Sequence, residues 1–218
     1  MSQVIQEEKK IEAEVQNVID GDRVVNFSDA VFAFAATLLV LKIDLPQIQG
    51  GNVEAQLSNA LIALWPTYLA NIIAFLVIGY YWLNHHAIFG MIRKFDSTIV
   101  WLNLIFLIFL SFLPFPVDLY GDYPTVRVVV IFYCASLALV GYILAFLWWY
   151  ASDKKRLVNK EMSRNHMRYY LIRVFIAPVT FTLSIPLVYI HPLLAQVSWL
   201  FILFGSLAAN AYYCKRKS

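Results

Sequence analysis

Residues 23–29 read Arg-Val-Val-Asn-Phe-Ser-Asp and run directly into an apolar stretch, Ala30 to Leu41, that ends at Lys42 and Asp44. A carboxylate in the first turns of an apolar span is costly in a bilayer and is usually kept for a reason. The stretch begins too far from Met1, lies behind an acidic leader and offers no small-residue cleavage site, so it does not read as a signal peptide. It is expected to stay in the protein as the first of several spans.

The composition supports that reading along the whole chain. Of 218 residues, 61% are hydrophobic and 14% charged, with a mean hydropathy of +0.65. A soluble domain of this size has too little core to hide so much apolar surface. Six runs are long enough to cross a hydrocarbon layer of about 30 Å at about 1.5 Å per residue. They fall at about 25–45, 67–91, 97–118, 126–150, 168–190 and 193–213. The runs are continuous and rich in Leu, Ile and Phe rather than alternating, which predicts an all-α bundle and not a barrel.

Charge distribution sets the expected topology. Lys9, Lys10 and Arg23 precede the first run, Arg93 and Lys94 join runs two and three, and Lys154, Lys155, Arg156, Lys160, Arg164 and Arg168 join four and five. Lys215, Arg216 and Lys217 close the chain, while the intervening loops carry Lys42 and Arg127 with Asp44, Glu54, Asp118 and Asp122. The positive-inside rule then places both termini in the cytoplasm. Such a tail orients the protein and gives no reason to expect nucleic acid as a partner. Cys134, inside run four, and Cys214, at the end of run six, suggest neither a disulfide nor a metal site.

Residues 3–19 mix Val4, Ile5, Ile11, Val15 and Val18 with Glu and Lys, a pattern equally compatible with a short amphipathic helix and with a solvated leader. Gly50, Gly51 and Asn52 mark an external turn, and Leu57–Leu64 reads as an interfacial helix before Pro66. Pro114 and Pro116 are expected to end run three, and Pro178 and Pro186 to kink run five. The chain shows no strong internal duplication, so a central pore would have to be assembled from several copies.

On a helical wheel with Phe34 at zero, Phe27, Ala30, Val31, Thr37, Leu38, Leu41 and Leu45 fall within about 60° of it. Asp29 lies about 140° away. Two roles for this stripe follow. Facing a symmetry axis it would form rings of bulky apolar side chains of the kind that gate by dewetting. Otherwise it packs against helices of the same chain, which periodicity alone favours. In the first case Ser28 and Asp29 face neighbouring helices and need hydrogen-bond partners.

Run two ends Tyr80-Tyr81-Trp82-Leu83-Asn84-His85-His86-Ala87-Ile88-Phe89, level with residues 23–29 in this topology. Trp82, His85 and Phe89 share a helix face, whereas His85 and His86 point about 100° apart, so at most one meets Asp29. We expect one of these histidines bonded to Asp29, with Asn84, Asn103 and Trp101 as further polar partners at that depth. Asp96 is expected to cap the third span. Val140-Gly141-Tyr142 resembles part of a TVGYG filter but lies mid-span, without the re-entrant loop such a filter requires.

Three motifs together carry a resemblance. Arg23-x-x-x-Phe27-Ser28-Asp29 leads into Thr37-Leu38-Leu39-Val40-Leu41, Tyr81-Trp82-Leu83-Asn84-His85-His86 follows, and Trp101-Leu102-Asn103-Leu104 precedes Ser111-Phe112-Leu113-Pro114-Phe115-Pro116. In this order they resemble the lysosomal potassium channel family, transmembrane protein 175, in its prokaryotic form. The likeness covers the first three spans well, and the rest in number and character only.

It implies a six-span subunit, a homotetramer and a central pore lined by the first span. It also implies a potassium-preferring cation leak in the cell membrane, with potassium as the permeant ion and no cofactor. The implied constriction falls on Phe34, with Leu38 and Leu41 further along and Thr37 in the selectivity layer. Arg23, Phe27, Ser28 and Asp29 with Trp82 and His85 form the implied anchoring network. On this reading residues 1–22 form a cytoplasmic segment, 23–213 the transmembrane channel domain and 214–218 a basic tail.

Two positions depart from the family pattern. Phe34 stands where an aliphatic residue is usual, and Ala74 where a serine is frequent. The rival readings are a proton-conducting channel or proton-coupled transporter using Asp29 and His85, and a membrane enzyme, for which no nucleophile, metal set or cofactor loop is visible.

Overall fold

The computed structural model describes residues 20–41, 43, 50 and 52–215. The expectations for residues 3–19, for Leu45 on the wheel, for Lys42, Asp44 and Gly51, and for the last three residues of the tail lie outside the described residues. Nine α-helices are described: α1 Gly21–Leu41, α2 Val53–Ala63, α3 Trp65–Met91, α4 Ser97–Phe112, α5 Pro114–Asp122, α6 Arg127–Ser152, α7 Arg164–Ile190, α8 Pro192–Ser198 and α9 Leu200–Lys215. Among the described residues six segments are long and apolar enough to cross a membrane: Gly21–Leu41, Thr67–Met91, Ser97–Asp122, Arg127–Lys155, Arg164–Ile190 and Pro192–Tyr213. The chain is an all-helical, multi-pass membrane protein.

Local signals explain most helix starts. Asn52 Oδ1 accepts from Ala55 N at 3.2 Å, Asp96 Oδ1 from Ile99 N at 2.8 Å and Ser163 Oγ from His166 N at 3.2 Å, so α2, α4 and α7 each open on a side-chain cap. Asp96 therefore plays its expected role, and its other oxygen accepts from the Tyr150 hydroxyl at 2.8 Å.

Several expected boundaries are corrected. The first helix starts at Gly21 rather than 25: Asp20 Oδ1 accepts from Asp22 N at 3.0 Å, and Gly21 lets the Phe95 ring lie on the first turn, where a Cβ would stand 2.3 Å from it. The division between residues 22 and 23 accordingly cuts a helix. Run three does not stop at 118: after an interruption at Leu113, Pro114 opens α5 at the first helical position, where its missing N–H is no loss. Run six is not continuous either, since α8 and α9 meet at Trp199. There the indole turns inward onto Tyr120, Tyr133 and Phe181, with ring centroids 5.6, 5.2 and 6.0 Å away. α7 stays one helix across both Pro178 and Pro186.

α6 is the axis of the subunit. Of its most apolar window 56% is buried, against 22% for α1 and 11% for the last span. Its tightest neighbour is α7, where Gly141 admits the Pro178 ring so closely that a Cβ would lie 2.8 Å from it. Small residues allow such approach in membranes, where packing contacts drive helix association. Val140-Gly141-Tyr142 is thus helical, with Val140 and Gly141 buried and the Tyr142 hydroxyl bonded to Thr182 Oγ1 at 2.9 Å. α1 lies at the edge of the bundle against α3, α4 and α5.

Candidate pore helix and its anchoring network

α1 has two unlike faces. Ser28, Phe32, Ala35 and Leu39 recur at helical spacing and are buried. The opposite side carries Phe27 (54% exposed), Phe34 (61%) and Leu41 (78%), together with exposed Arg23, Ala30 and Thr37. Among the described residues the packed-stripe alternative is therefore not met: none of them covers the stripe from Phe27 to Leu41. Val31 and Leu38 are half-buried at its edge, so the open face is centred nearer Ala30 and Thr37 than Phe34.

The buried face is held by a polar chain. Ser28 (0% exposed), His85 (0%) and Asn103 (1%) are fully enclosed. Asn103 Nδ2 donates to Ser28 Oγ at 2.8 Å, and the Ser28 hydroxyl donates to the Val24 carbonyl at 2.8 Å. The Asn103 amide oxygen, which can only accept, lies 2.9 Å from His85 Nε2, so that nitrogen carries the proton. The imidazole is stacked on Phe89 and Phe106, with centroids 4.1 and 5.5 Å away, and Phe32 meets it edge-on at 5.3 Å. Its Nδ1 is buried without a hydrogen-bond partner among the described residues.

This corrects the expected histidine tether to Asp29. Asp29 Oδ1 instead accepts from Trp82 Nε1 at 2.8 Å on a half-exposed flank of α1. The physical reason is angular: Ser28 and Asp29 point about 100° apart, so the first meets α4 and the second meets α3. His86 is exposed beside Trp82, as divergence from His85 requires. Of the other expected partners, Trp101 points outward (66% exposed), while Asn84 Nδ2 donates to its own helix at the Tyr80 carbonyl, 2.8 Å away. Arg23 is exposed and, with Asp20, Phe27 and Leu104, borders a groove of about 380 Å³ whose lining includes Asn103. Ala74 is buried, with no polar atom to offer where a serine was expected.

Some contacts had no sequence signal beyond residue type. The Tyr81 hydroxyl donates to the Leu137 carbonyl at 2.8 Å, fixing α3 on α6. Trp148 Nε1 donates to the Met167 carbonyl at 3.0 Å, and Tyr169 donates to Asn210 Oδ1. His166, Tyr169 and Tyr170 repeat at helical spacing on α7, a periodicity that could have marked its polar side.

The family model for the endosomal/lysosomal potassium channel TMEM175 matches residues 23–114, the part that carries the motifs. The chain is 33% identical over 177 residues to a potassium channel of Streptomyces collinus, covering 78% of this chain and 84% of that one. It is 34% identical over 148 residues to a potassium channel of Chamaesiphon minutus, covering 66% and 72%. The mouse endosomal/lysosomal proton channel TMEM175 is 23% identical over 198 residues, of which this chain spans only 39%. The crystal structure of a lysosomal potassium-selective channel TMEM175 homolog from Chamaesiphon minutus superposes with a TM-score of 0.75 at 29% identity, covering 87% of this chain and 98% of that one. With its motif-bearing helices matched by the family model and bacterial relatives aligned over most of their length, the chain belongs to the TMEM175 family.

Proposed function

We propose that the protein is a potassium-selective leak channel of the cell membrane, in which four copies of α1 surround the ion path. The observation that carries this reading is the open face of α1, uncharged from Phe27 to Leu41 and with Arg23 at its start, set against a back face pinned by buried hydrogen bonds. Lipid alone would also tolerate apolar side chains there. It would not tolerate Asp29 on the flank, because an ionisable group within a span needs protein or water around it. A neighbouring copy on each flank covers Asp29 and leaves Phe27, Ala30, Phe34, Thr37 and Leu41 facing the axis.

In that arrangement Phe34 forms the neck rather than Leu38, since Leu38 is half-buried at the edge of the face. The potassium ion passing an apolar ring gives up part of its hydration, and sodium, being smaller, holds its water more tightly. Selectivity then comes from dehydration at Phe34 with the Thr37 hydroxyl nearby, not from carbonyl cages or acidic rings. Thr37 Oγ1 donates to the Phe34 carbonyl at 2.9 Å, which leaves its oxygen lone pairs to face an ion. The protein performs transport and no bond-making chemistry.

The names of the vertebrate relatives favour a second reading, proton conduction. Its local support is thin: the chain His85–Asn103–Ser28 ends on the Val24 carbonyl, and Asp29 is bonded to Trp82 rather than to His85. Reconstitution in liposomes with reversal potentials measured under potassium/sodium and pH gradients decides between them. Potassium preference with unitary currents supports the proposal; equal potassium and sodium permeability refutes it.

A further inference from the structure

At the basic end of the bundle, three helix ends line a cleft of about 430 Å³. Gly90 of α3 and the following Arg93 form one side, Ser163 and His166 at the start of α7 a second, and Tyr213 of α9 a third. Its walls are tied together. Ile92 and Val158 form an antiparallel bridge, and the N–H groups of Arg93 and Lys94 both donate to the Leu157 carbonyl, at 2.8 and 3.2 Å. Across the cleft His166 Nδ1 is hydrogen-bonded to the Tyr213 hydroxyl. The cavity is therefore preformed, not a gap between loose loops.

Its chemistry suits a phosphate. Arg93 offers a planar fork of donors matched to phosphate oxygens. Exposed Lys94, Lys160 and Arg164 adjoin the lining in sequence, and the positive end of a 27-residue helix opens at Ser163. Glu161 is the carboxylate in the lining. The level is also right: Met91, Arg164 and Tyr213 terminate three membrane-crossing segments, so the cleft lies where lipid headgroups do. Met91 and Met162 supply apolar surface in the same cleft, which the first methylenes of a lipid's acyl chains can cover and a free phosphate cannot use.

We propose that this cleft binds the phosphate of an anionic membrane lipid, with Arg93 as the principal contact and Glu161 as the group that holds affinity down. The site is independent of what passes along α1. The purified full-length protein in neutral detergent is titrated with dioctanoyl phosphatidylglycerol, and bound lipid is counted by native mass spectrometry. Dioctanoyl phosphatidylcholine and inorganic phosphate serve as competitors.

Arg93→Gln should weaken phosphatidylglycerol about tenfold, the loss of one charge-assisted hydrogen bond, and Glu161→Gln should tighten it. Gly90→Leu directs a side chain into space where nothing lies within 4 Å of a Cβ, and should block binding with Arg93 intact. That variant decides the matter if Arg93→Gln fails to fold. Native-like binding by Gly90→Leu, or equal binding of phosphatidylcholine, overturns the proposal. Displacement of the lipid by equimolar inorganic phosphate also overturns it and assigns the cleft to the free anion.

Discussion

Asn103→Leu is the sharpest probe of the network behind α1, because the two hydrogen bonds it removes do not carry equal weight. Ser28 loses a donor but still donates to the Val24 carbonyl at 2.8 Å, so it is not orphaned. His85 loses its bond at 2.9 Å, and its Nδ1 is already without a partner among the described residues, so the ring is left unsatisfied by side chains in a buried site. A buried donor stripped of its acceptor costs about 1–3 kcal/mol, and hydrogen bonds measured between membrane helices average about 0.6 kcal/mol. A destabilisation of about 2 kcal/mol follows at the upper side of that range, or about 4–8 °C in Tm for a chain of this length. Thermal unfolding in detergent at one fixed protein concentration, followed by tryptophan fluorescence, reads it; the fixed concentration matters because assembly shifts Tm.

The decisive arm is the double variant His85→Phe/Asn103→Leu. Replacing both partners with apolar groups removes the orphan, and a phenyl ring retains the stacking on Phe89 and Phe106. It should recover to within about 1 kcal/mol of the native protein. A double variant as unstable as the sum of the singles would refute the reasoning, since the cost would then lie in shape and not in an unpaired imidazole.

Phe34→Ala should widen the neck, raising liposome flux or lowering the potassium/sodium permeability ratio; unchanged flux and ratio would remove Phe34 from the conduction path. Gly141→Ala should destabilise by about 1–3 kcal/mol through overpacking on Pro178, whereas Gly90→Ala, with open space at its Cβ, should be neutral or gain about 0.5–1 kcal/mol from helix propensity. The two Tm shifts should therefore differ in sign or clearly in size. Asp29→Asn keeps an acceptor for Trp82 Nε1 and loses charge assistance, so about 1 kcal/mol is expected. Asp29→Leu should disturb assembly more, as read by the oligomer fraction on size-exclusion chromatography.

The six spans were legible because the bilayer imposes one length and one polarity on all of them. What periodicity could not decide was the direction in which α1 packs. When lipid, protein and a dewetted pore are all apolar, a stripe of Phe, Ala and Leu carries no label for which it meets, and only the structure shows Phe34 uncovered with Phe32 buried. The Asp29 partner was misassigned for a related reason: His85 and Trp82 share a helix face, and which one reaches Asp29 depends on the depth and roll of α3. The break at Trp199 has no local cause in the sequence, being made by the aromatic cluster that takes the indole in. The break at Leu113 was visible as Pro114, but a proline reads equally as the end of one helix and the start of another.

Ser28 and Asp29 are adjacent yet do different work, and their adjacency is what makes the arrangement effective. Between membrane helices no hydrophobic effect resists rotation about the long axis, so apolar packing alone leaves the roll of α1 weakly fixed. Two polar residues about 100° apart, one bonded to α4 through Asn103 and the other to α3 through Trp82, restrain that roll from two directions. A rotation of one residue would break both bonds and leave Asn103 Nδ2 without its acceptor in a buried site. The same two bonds thereby determine where Phe34 and Thr37 point, further along the same helix. If α1 lines the ion path as proposed, the carboxylate at the mouth of the first span sets the geometry of that path without lining it.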